Sequence, residues 1–335
     1  MKFQTLLILF CITSIKSFAS DFKHLAARDT TATDTTATTA KDTTNTDSML
    51  IYWTEKNTFG VNLSEVAFVN WNSGGNNSVS ALFYANFQRN FEKDYTMWKN
   101  SASLRYGINA QEGREIRKTE DELRINSSFG FRQDSTSNWF YSGKFSFNSQ
   151  FSNGYKYPDT EVAISRFMAP GYTFLGGGTE YSDPVQDLTV YLSPVTFKST
   201  FVLDQRLANE GMFGVEPAVT DELGNILREG ENVRTEFGFL VTSGYSKEVW
   251  ENIDLNNQLS LYSDYLNKFG NIDVDWQLAV NMKVNEFVKA NVGTHIVYDD
   301  DVKFKEDTNG DGKLETSGPR VQLKQMLGVG VVYEF

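Results

Sequence analysis

The sequence predicts an all-β fold: a transmembrane, antiparallel, up-and-down β-barrel of about 12 strands. Three observations lead to this prediction. From residue 59 onward, apolar and polar side chains alternate with the period of a strand. Most alternating segments are longer than ordinary strands and match the roughly 9–11 residues of a tilted transmembrane strand. The connections between them are short on one side and mostly long on the other, as in outer-membrane barrels.

The clearest alternation runs from Ile272 to Val284. Its even positions are apolar, with Val274 and Trp276 among them, and its odd positions are mostly polar, as at Gln277. The same pattern predicts strands near residues 59–70, 78–91, 99–112, 121–133, 139–152, 170–181, 187–205, 233–246, 252–266, 270–285, 286–298 and 319–335. Pro194 interrupts one of them and predicts a β-bulge, because proline cannot donate to the ladder.

The hydrocarbon interior of a membrane requires a spanning sheet to close. Hydrocarbon offers no water to a free backbone edge, so a spanning sheet must be a closed barrel with an apolar outside. The alternative is a soluble secreted β-sandwich, whose strands also alternate. Aromatic residues near strand ends favour the barrel, because they match interfacial girdles. They are Trp98, Trp139, Tyr141, Trp250, Tyr265, Tyr298 and Tyr333.

Residues 1–19 have the layout of a secretory signal peptide. Lys2 is followed by a short apolar run and by small residues that favour cleavage after Ala19. Acylation of Cys11 is the alternative, although bulky Phe10 precedes it. Residues 20–55 are predicted to be a disordered Thr/Asp-rich periplasmic leader, and residues 56–335 the barrel. The predicted location is therefore the outer membrane of a Gram-negative bacterium, after cleavage.

The leader contains short Asp-Thr-Thr triplets at residues 29–31, 34–36 and 42–44, and a related Asp-Ser-Met triplet at residues 47–49. They resemble acceptor sites for bacterial O-glycosylation, or they arise from composition alone in a low-complexity spacer.

The chain ends in a strand with aromatic residues at Tyr333 and Phe335, preceded by Gly330. This ending resembles the signal that the barrel-assembly machinery reads, so that machinery and outer-membrane lipid are the expected partners. The segment Asn70–Ser78 and the general layout resemble an uncharacterised outer-membrane family of Bacteroidetes, domain of unknown function 3078. The resemblance extends over roughly residues 55–335 and implies a location and a fold, with no active-site residues to transfer.

Charged side chains fall on the face that this arrangement turns inward. The predicted lumen-lining residues are Arg105, Arg124, Arg132, Arg234, Asp254, Asp264, Asp273 and Asp275. They predict either a pore with a transverse electric field or a salt-bridge network that fills a narrow lumen. The salt-bridge network is the favoured interpretation. The long loop Arg206–Asn232 can fold inward and close what remains of the channel.

Composition excludes several functions. A net charge of −12 supplies no basic surface for nucleic acid, so no nucleic-acid partner is expected. Enzymatic activity is not expected either, because a nucleophile and its base cannot be identified. The alternative is an outer-membrane lipid-modifying enzyme, which would require a histidine followed by a serine two positions later. Of the two histidines, His24 lies in the leader, and His295 has no serine at that position.

One loop resembles the start of a calcium-binding loop. Asp307, Asn309, Asp311 and Glu315 place oxygen ligands at alternating positions around Gly312. The twelfth position is a glycine instead of the bidentate glutamate, and Asp, Asn and Gly are ordinary turn residues. No cofactor is therefore expected other than a weakly bound Ca²⁺. The role expected from the sequence is passive: passage of small solutes, or a structural or surface function.

Overall fold

The computed structural model describes residues 52–67, 76–267, 269–306 and 315–335. Within these residues, 12 strands form one closed antiparallel barrel, in the order β1-β18-β15-β14-β13-β12-β9-β8-β5-β4-β3-β2. The fold prediction is confirmed. The sandwich alternative is wrong, because the described strands of the barrel belong to a single sheet that closes on itself and not to two stacked sheets.

The barrel strands are β1 Trp53–Val66, β2 Ser78–Lys93, β3 Thr96–Gln111, β4 Arg117–Phe131, β5 Trp139–Ser149, β8 Gly171–Asp183, β9 Leu188–Phe201, β12 Val233–Trp250, β13 Ile253–Asp264, β14 Asp273–Lys283, β15 Val288–Tyr298 and β18 Gln322–Glu334. Three small hairpins lie in the connections: β6 Gly154–Tyr155 with β7 Ala163–Ser165, β10 Val219–Thr220 with β11 Ile226–Arg228, and β16 Lys303–Glu306 with β17 Glu315–Pro319.

Each of the 12 predicted strands is present, and the largest error is in the first. β1 begins at Trp53, within the predicted leader, and ends at Val66. Its first residues include Glu55 and Asn57 at positions that the barrel turns outward. They lack the apolar face that marks the other strands, so the alternation becomes visible only at Phe59.

The predicted bulge is confirmed. The register of β9 shifts against β8 and against β12 around Pro194. The Ser193 hydroxyl, which is fully buried, donates to the carbonyl of Gly177 at 3.0 Å, and so stabilises the kink. Gly178 faces the bulge, where a Cβ atom would lie 2.0 Å from the Leu192 carbonyl oxygen, and only glycine permits this approach.

The two ends of the barrel differ. At one end, called the turn end here, the connections are short, as between Lys93 and Thr96. The opposite end, the loop end, carries the longer connections, including residues 150–170, 202–232 and 299–321. The predicted asymmetry of the connections is therefore present.

A small hydrophobic cap forms at the loop end from residues 202–232 and the neighbouring loop. Helix α1, Gln205–Asn209, is capped by Asp204, whose side chain accepts from the Leu207 amide. A 3-10 turn follows at Met212–Gly214. The buried residues of the cap are Ala169, Val202, Leu207, Ala208 and Val215. Neither helical segment among the described residues has the length and hydropathy needed to cross a membrane.

The outer face of the barrel carries two bands of aromatic side chains. Near the turn end, Trp139 lies 5.2 Å from Tyr181, ring centre to ring centre. Near the loop end, Phe197 and Phe237 lie 5.1 Å apart. β5 is among the shortest strands of the barrel, with 11 residues. At about 3.4 Å per residue and a tilt of about 40°, even this strand rises by about 25 Å, the height of the apolar band of outer-membrane barrels.

Several predictions lie outside the described residues. They are the signal peptide with Cys11, nearly all of the leader with its triplets and His24, residues 70–75 of the family-like segment, and Asp307, Asn309 and Asp311 of the calcium-like loop. Glu315 begins β17, but its side chain is not described.

Candidate functional site: the barrel interior

Side chains that face the interior are identified by contacts between strands that are not neighbours. Lys198 on β9 reaches Asp273 on β14, three places away in the strand order. Lys324 on β18 reaches Glu120 on β4, four places away. Such contacts can form only through the lumen. Of the predicted lumen-lining residues, Arg105, Arg124, Arg234, Asp264, Asp273 and Asp275 share the inward parity of these contacts.

A buried cation stands near the loop end. The Nζ atom of Lys198 lies 2.8 Å from Asp273, 3.3 Å from Glu236 and 3.4 Å from Asp299. The Lys198 side chain is only 6% exposed. Burial of an ammonium group is unfavourable unless it is paired, and three carboxylates meet that requirement here.

The predicted lumen residue Arg234 links this cluster to the cap. Its Nη2 lies 2.6 Å from Asp301, and its Nη1 donates to the carbonyl of Gly214 at 3.0 Å. The cap is thereby attached to the inner wall of β12, directly above Glu236. The loop expected to cover the lumen is therefore a folded cap with a polar anchor, as far as the described residues extend.

A second cluster lies on the opposite wall. Glu120 lies 3.3 Å from Nε of Arg105 and accepts from Nζ of Lys324 at 2.9 Å. Glu122 pairs with Arg124 at 2.7 Å. The cluster borders a cavity of about 240 Å³, lined by Thr119, Glu120, Asp121, Glu122, Arg124, Asn148, His295 and Lys324.

The longest connection joins Arg124 to Gln277. With the Gln277 amide oxygen turned toward the guanidinium, the orientation that satisfies both groups, the distances are 3.1 and 3.2 Å. β4 and β14 are six places apart in a ring of 12 strands, so they are diametrically opposite. The lumen is bridged across its full width at this level.

A third group of charges lies nearer the turn end. Glu180 is 2% exposed and accepts from the Ser128 hydroxyl at 2.9 Å. Lys99 lies 3.7 Å from this carboxylate and Lys144 lies 4.0 Å from it. Below them, Met97 and Phe140 are buried inside the wall formed by β3, β4 and β5. The interior beside these strands is therefore filled over most of its height.

The predicted residue Arg132 does not line the middle of the lumen. It follows the last residue of β4, donates to the carbonyls of Asp94 and Ser137, and lies over the Phe140 ring at 4.9 Å. It joins two turns at the rim of the turn end. The alternation along β4 correctly predicted that Arg132 faces inward. It did not predict that β4 ends at Phe131, the residue before Arg132.

The interior is more open on the side of β13, β14, β1 and β2. Asp254, Gln258, Lys283, Lys56 and Gln88 have the inward parity of their strands, yet all are exposed. Their exposure indicates a polar vestibule that opens at the turn end. Asp254, one of the predicted lumen residues, lies in it.

Among the described residues, the hydrogen-bond partner of His295 is a carboxylate and not a hydroxyl. Its Nε2 lies 2.8 Å from Oδ1 of Asp275. A serine hydroxyl in that position would have suggested a nucleophile. Metal ligation has no support either: in the described parts of the chain, no group of three or more His, Cys, Asp or Glu side chains is arranged to hold an ion.

Several charged interior residues were not among the predicted sites, including Lys99, Glu120, Glu180, Lys198 and Lys324. All of these have inward parity; four lie in predicted strands, and Glu120 comes one residue before the strand predicted at 121–133. The alternation could therefore have identified them, whereas their partners across the lumen depend on which strands end up opposite each other.

Residues 63–155 match the model of a family described as a protein of unknown function, DUF3078. The expected resemblance to this family is confirmed over these residues, which extend from the end of β1 to β6. No curated protein sequence matches the chain significantly.

Several solved structures are similar in arrangement. The translocator domain of the autotransporter NalP from Neisseria meningitidis is 13% identical, with 86% of this chain and 90% of that chain covered and a TM-score of 0.34. An outer membrane channel from Pseudomonas putida F1 is 10% identical, with 84% and 95% covered and a TM-score of 0.38. OmpF of Salmonella typhi, in complex with daunomycin, is 7% identical, with 84% and 97% covered and a TM-score of 0.26. At these TM-scores the similarity supports no inference about activity.

Proposed function

We propose that the chain is an outer-membrane β-barrel of a Gram-negative bacterium, with its turn end in the periplasm and its cap outside the cell. The outer face supports this proposal: apolar side chains such as Leu175 and Val292 are exposed there, and pairs of aromatic side chains lie near both ends of the barrel. Exposed apolar side chains around a whole barrel are unfavourable in water and favourable in lipid. A signal peptide at residues 1–19 would direct the chain across the inner membrane and be removed by cleavage after residue 19.

We infer further that the barrel is a narrow passage for small polar solutes, closed in this structure. The observation that carries this inference is the contact between Arg124 and Gln277 across the full width of the lumen. A polar vestibule reaches this level from the turn end, and the cap covers the loop end. Opening at the level of Arg124 requires only that side chains move apart, because the barrel wall itself need not change there; the cap is a second barrier at the loop end.

A catalytic role is not part of the proposal, because within the described part of the chain the hydrogen bond of His295 goes to the carboxylate of Asp275 and not to a hydroxyl or thiol that it could activate. The proposed partners are outer-membrane lipid and, during insertion, the barrel-assembly machinery. Weak Ca²⁺ binding by the loop that begins at Asp307 stays a prediction.

The membrane proposal is tested by fractionation and gel migration. Folded chain should be recovered with outer membranes and should migrate differently on a detergent gel before and after boiling. Recovery of folded chain in the aqueous fraction without detergent would contradict the proposal.

The passage is tested by recordings in planar bilayers. Wild-type protein should show small, rare conducting events, and Arg124→Ala should show larger and more frequent ones because the bridge is removed. Arg89→Ala is the matched control, since Arg89 has outward parity and pairs with Glu55 at 3.3 Å. A variant Arg124→Ala that inserts and stays silent would favour a structural barrel, consistent with the filled interior beside β3, β4 and β5.

A further inference from the structure

One ionisable side chain stands beside the contact that closes the lumen. Here we call the contact between Arg124 and Gln277 the bridge. His295 on β15 is paired with Gln277 on β14 in the register of the barrel, and both have inward parity. It is the only histidine among the residues that the structure describes. Histidine is the side chain whose charge ordinarily changes between about pH 5 and about pH 8, so the charge beside the bridge can respond to pH.

His295 is accessible to water. Its side chain is 23% exposed and lines the polar cavity of about 240 Å³, and a polar cavity of this size has room for several water molecules. The Nε2 atom lies 2.8 Å from Oδ1 of Asp275, and because a carboxylate only accepts, Nε2 carries the hydrogen of the neutral ring. Nδ1 is therefore the atom that takes up a second proton. The imidazole can gain this proton from water while the barrel wall stays as it is.

The bridge is held by charges on both walls. On its own strand, Arg124 pairs with Glu122 at 2.7 Å. Across the lumen its guanidinium reaches Gln277 at 3.1 and 3.2 Å, but an amide carries no net charge. The charged neighbour of Gln277 is Asp275, two residues earlier on the same face, and its carboxylate interacts electrostatically with Arg124. Asp275 therefore attracts the guanidinium across the lumen, whereas Glu122 draws it back to β4.

A proton on His295 changes this balance. The imidazolium lies 2.8 Å from the Asp275 carboxylate, whereas Arg124 acts on the same carboxylate from farther away, without a hydrogen bond. At that longer distance the two opposite charges largely cancel, so the attraction of Arg124 across the lumen is lost. Only its hydrogen bonds to the Gln277 amide remain, and these contribute little net free energy because water competes for both groups. Arg124 is then held by Glu122 alone, and the bridge opens.

The remaining charged groups that adjoin His295 are paired with one another. They are Lys324 on β18, Glu120 and Asp121 on β4, and Arg105 on β3. Lys324 donates to Oε1 of Glu120 at 2.9 Å, and Glu120 lies 3.3 Å from Nε of Arg105. Asp121 pairs with Lys118 at 2.7 Å. A charged His295 repels Lys324 toward Glu120, where it already lies, and so leaves the control of the bridge to Asp275.

We propose that His295 is a pH-sensitive switch of the passage: the neutral imidazole keeps the bridge closed, and the protonated imidazole releases Arg124 from Gln277. The inference rests on the proposed passage and adds its regulation. The switch acts on one of the two barriers, because the cap at the loop end contains no histidine. A single proton is sufficient, since it is taken up 2.8 Å from the carboxylate that attracts Arg124 across the lumen. Mild acidification should therefore open the lumen at this level.

The switch is tested by recordings in planar bilayers at about pH 8 and about pH 5, the limits of the range in which histidine changes its charge. Wild-type protein should open about tenfold more often at the lower pH, the response of an equilibrium to the loss of one charge interaction of moderate strength. His295→Gln should lose this increase, because glutamine stays neutral. His24→Gln, which changes the other histidine of the chain, is the matched control and should keep the increase.

Two further variants separate a switch from a local defect. His295→Lys places beside Asp275 a side chain that is ordinarily a cation at both pH values, so this variant should open often at both. Arg124→Ala removes the bridge itself, and it should also open often at both and should not respond to pH. Heat-modifiable migration on a detergent gel establishes that each variant is folded before its recordings are compared.

The passage and the switch fail in different ways. A folded Arg124→Ala variant that is silent at both pH values contradicts the passage. Where Arg124→Ala conducts, equal opening of the wild-type protein at the two pH values overturns the switch alone. The switch is also overturned if His295→Gln keeps the increase, if His295→Lys stays closed, or if Arg124→Ala still responds to pH. Loss of the increase in His24→Gln would likewise overturn it, because the sensor would then be the other histidine.

Discussion

The Nζ atom of Lys198 lies 2.8 Å from Oδ2 of Asp273, although the two residues belong to strands three places apart in the barrel. The contact forms inside the lumen, where the ammonium group is shared with Glu236 and Asp299. Because the lysine is almost fully buried, this part of the interior can fold favourably only if the ammonium group is paired with these carboxylates. It makes the loop end of the lumen the place where a single substitution should have the largest effect.

Lys198→Met should destabilise the barrel strongly. The variant leaves three inward carboxylates without their shared cation, and breaking a buried ion pair costs about 3–5 kcal/mol. The unfolding free energy, measured by denaturant titration in vesicles, should fall by that amount, and the temperature at which heat modification occurs should fall with it. Lys283→Met serves as control, since Lys283 has the same inward parity but is exposed, and its substitution should change stability little. Equal losses in the two variants would show that burial of the charge is not the cause.

The strands could be predicted because lipid and lumen impose opposite requirements on neighbouring residues. Asp273 faces the lumen and Val274 faces outward, although they are adjacent in sequence. Polar and apolar residues therefore alternate along the strand, and this alternation can be read from the sequence. The ion pairs could not be predicted in this way. Whether Lys198 meets Asp273 depends on the number of strands and on the stagger between them, which no short segment encodes. The same holds for Arg124 and Gln277.

A lysine on the outer face distinguishes a membrane barrel from a soluble one. Val292 has outward parity, lies near the middle of β15 and is exposed. Val292→Lys should lower the unfolding free energy in vesicles by about 2–4 kcal/mol, the cost of a cation near the bilayer midplane. Leu227→Lys, in the β10–β11 hairpin at the loop end, is the control: Leu227 is also exposed but lies outside the proposed bilayer, so its substitution should be nearly neutral. A neutral effect at Val292 would contradict the proposed location.

Phe335 should matter more for assembly in the cell than for stability. Phe335 stacks on Phe59 with ring centres 5.8 Å apart, and an aromatic pair contributes about 1 kcal/mol beyond its buried area. Phe335→Ala should therefore still fold in vesicles in vitro, whereas its amount in the outer membrane of cells should fall several-fold if the assembly machinery reads this residue. Phe59→Ala removes the same stacking and leaves the chain end intact. If both variants lose the same amount in cells, packing is the cause and the signal is not.

Sequence reasoning did not predict the fold of the cap, which covers the loop end of the proposed passage. The cap was expected only as a loop able to fold inward, since its buried residues, such as Leu207 and Val215, follow neither strand nor long-helix periodicity.

A carboxylate in the loop-end hairpin should titrate at low pH. Asn225 donates to Asp221 from its side-chain amide at 2.8 Å and from its backbone at 2.7 Å, and these hydrogen bonds hold the pKa of Asp221 below its ordinary value. Because the folded pKa is lowered, the stabilisation of the hairpin is present above the ordinary Asp pKa of about 3.9 and is lost as the pH falls through the lower folded value.

Asn225→Ala should raise the pKa of Asp221 toward its ordinary value without restoring it fully, because the backbone amides of residues 223 and 225 still donate to the carboxylate. The measurement is the pH titration of the ¹³C carboxyl shift of Asp221 in detergent-solubilised protein. Asp134 provides an internal control at the other end of the barrel: its pKa is lowered by a hydrogen bond from the backbone of Thr136, and it should titrate identically in both proteins. A pKa of Asp221 that does not move in Asn225→Ala would mean that the side-chain amide does not make this contact in solution, and the hairpin would then be held by its backbone hydrogen bonds alone.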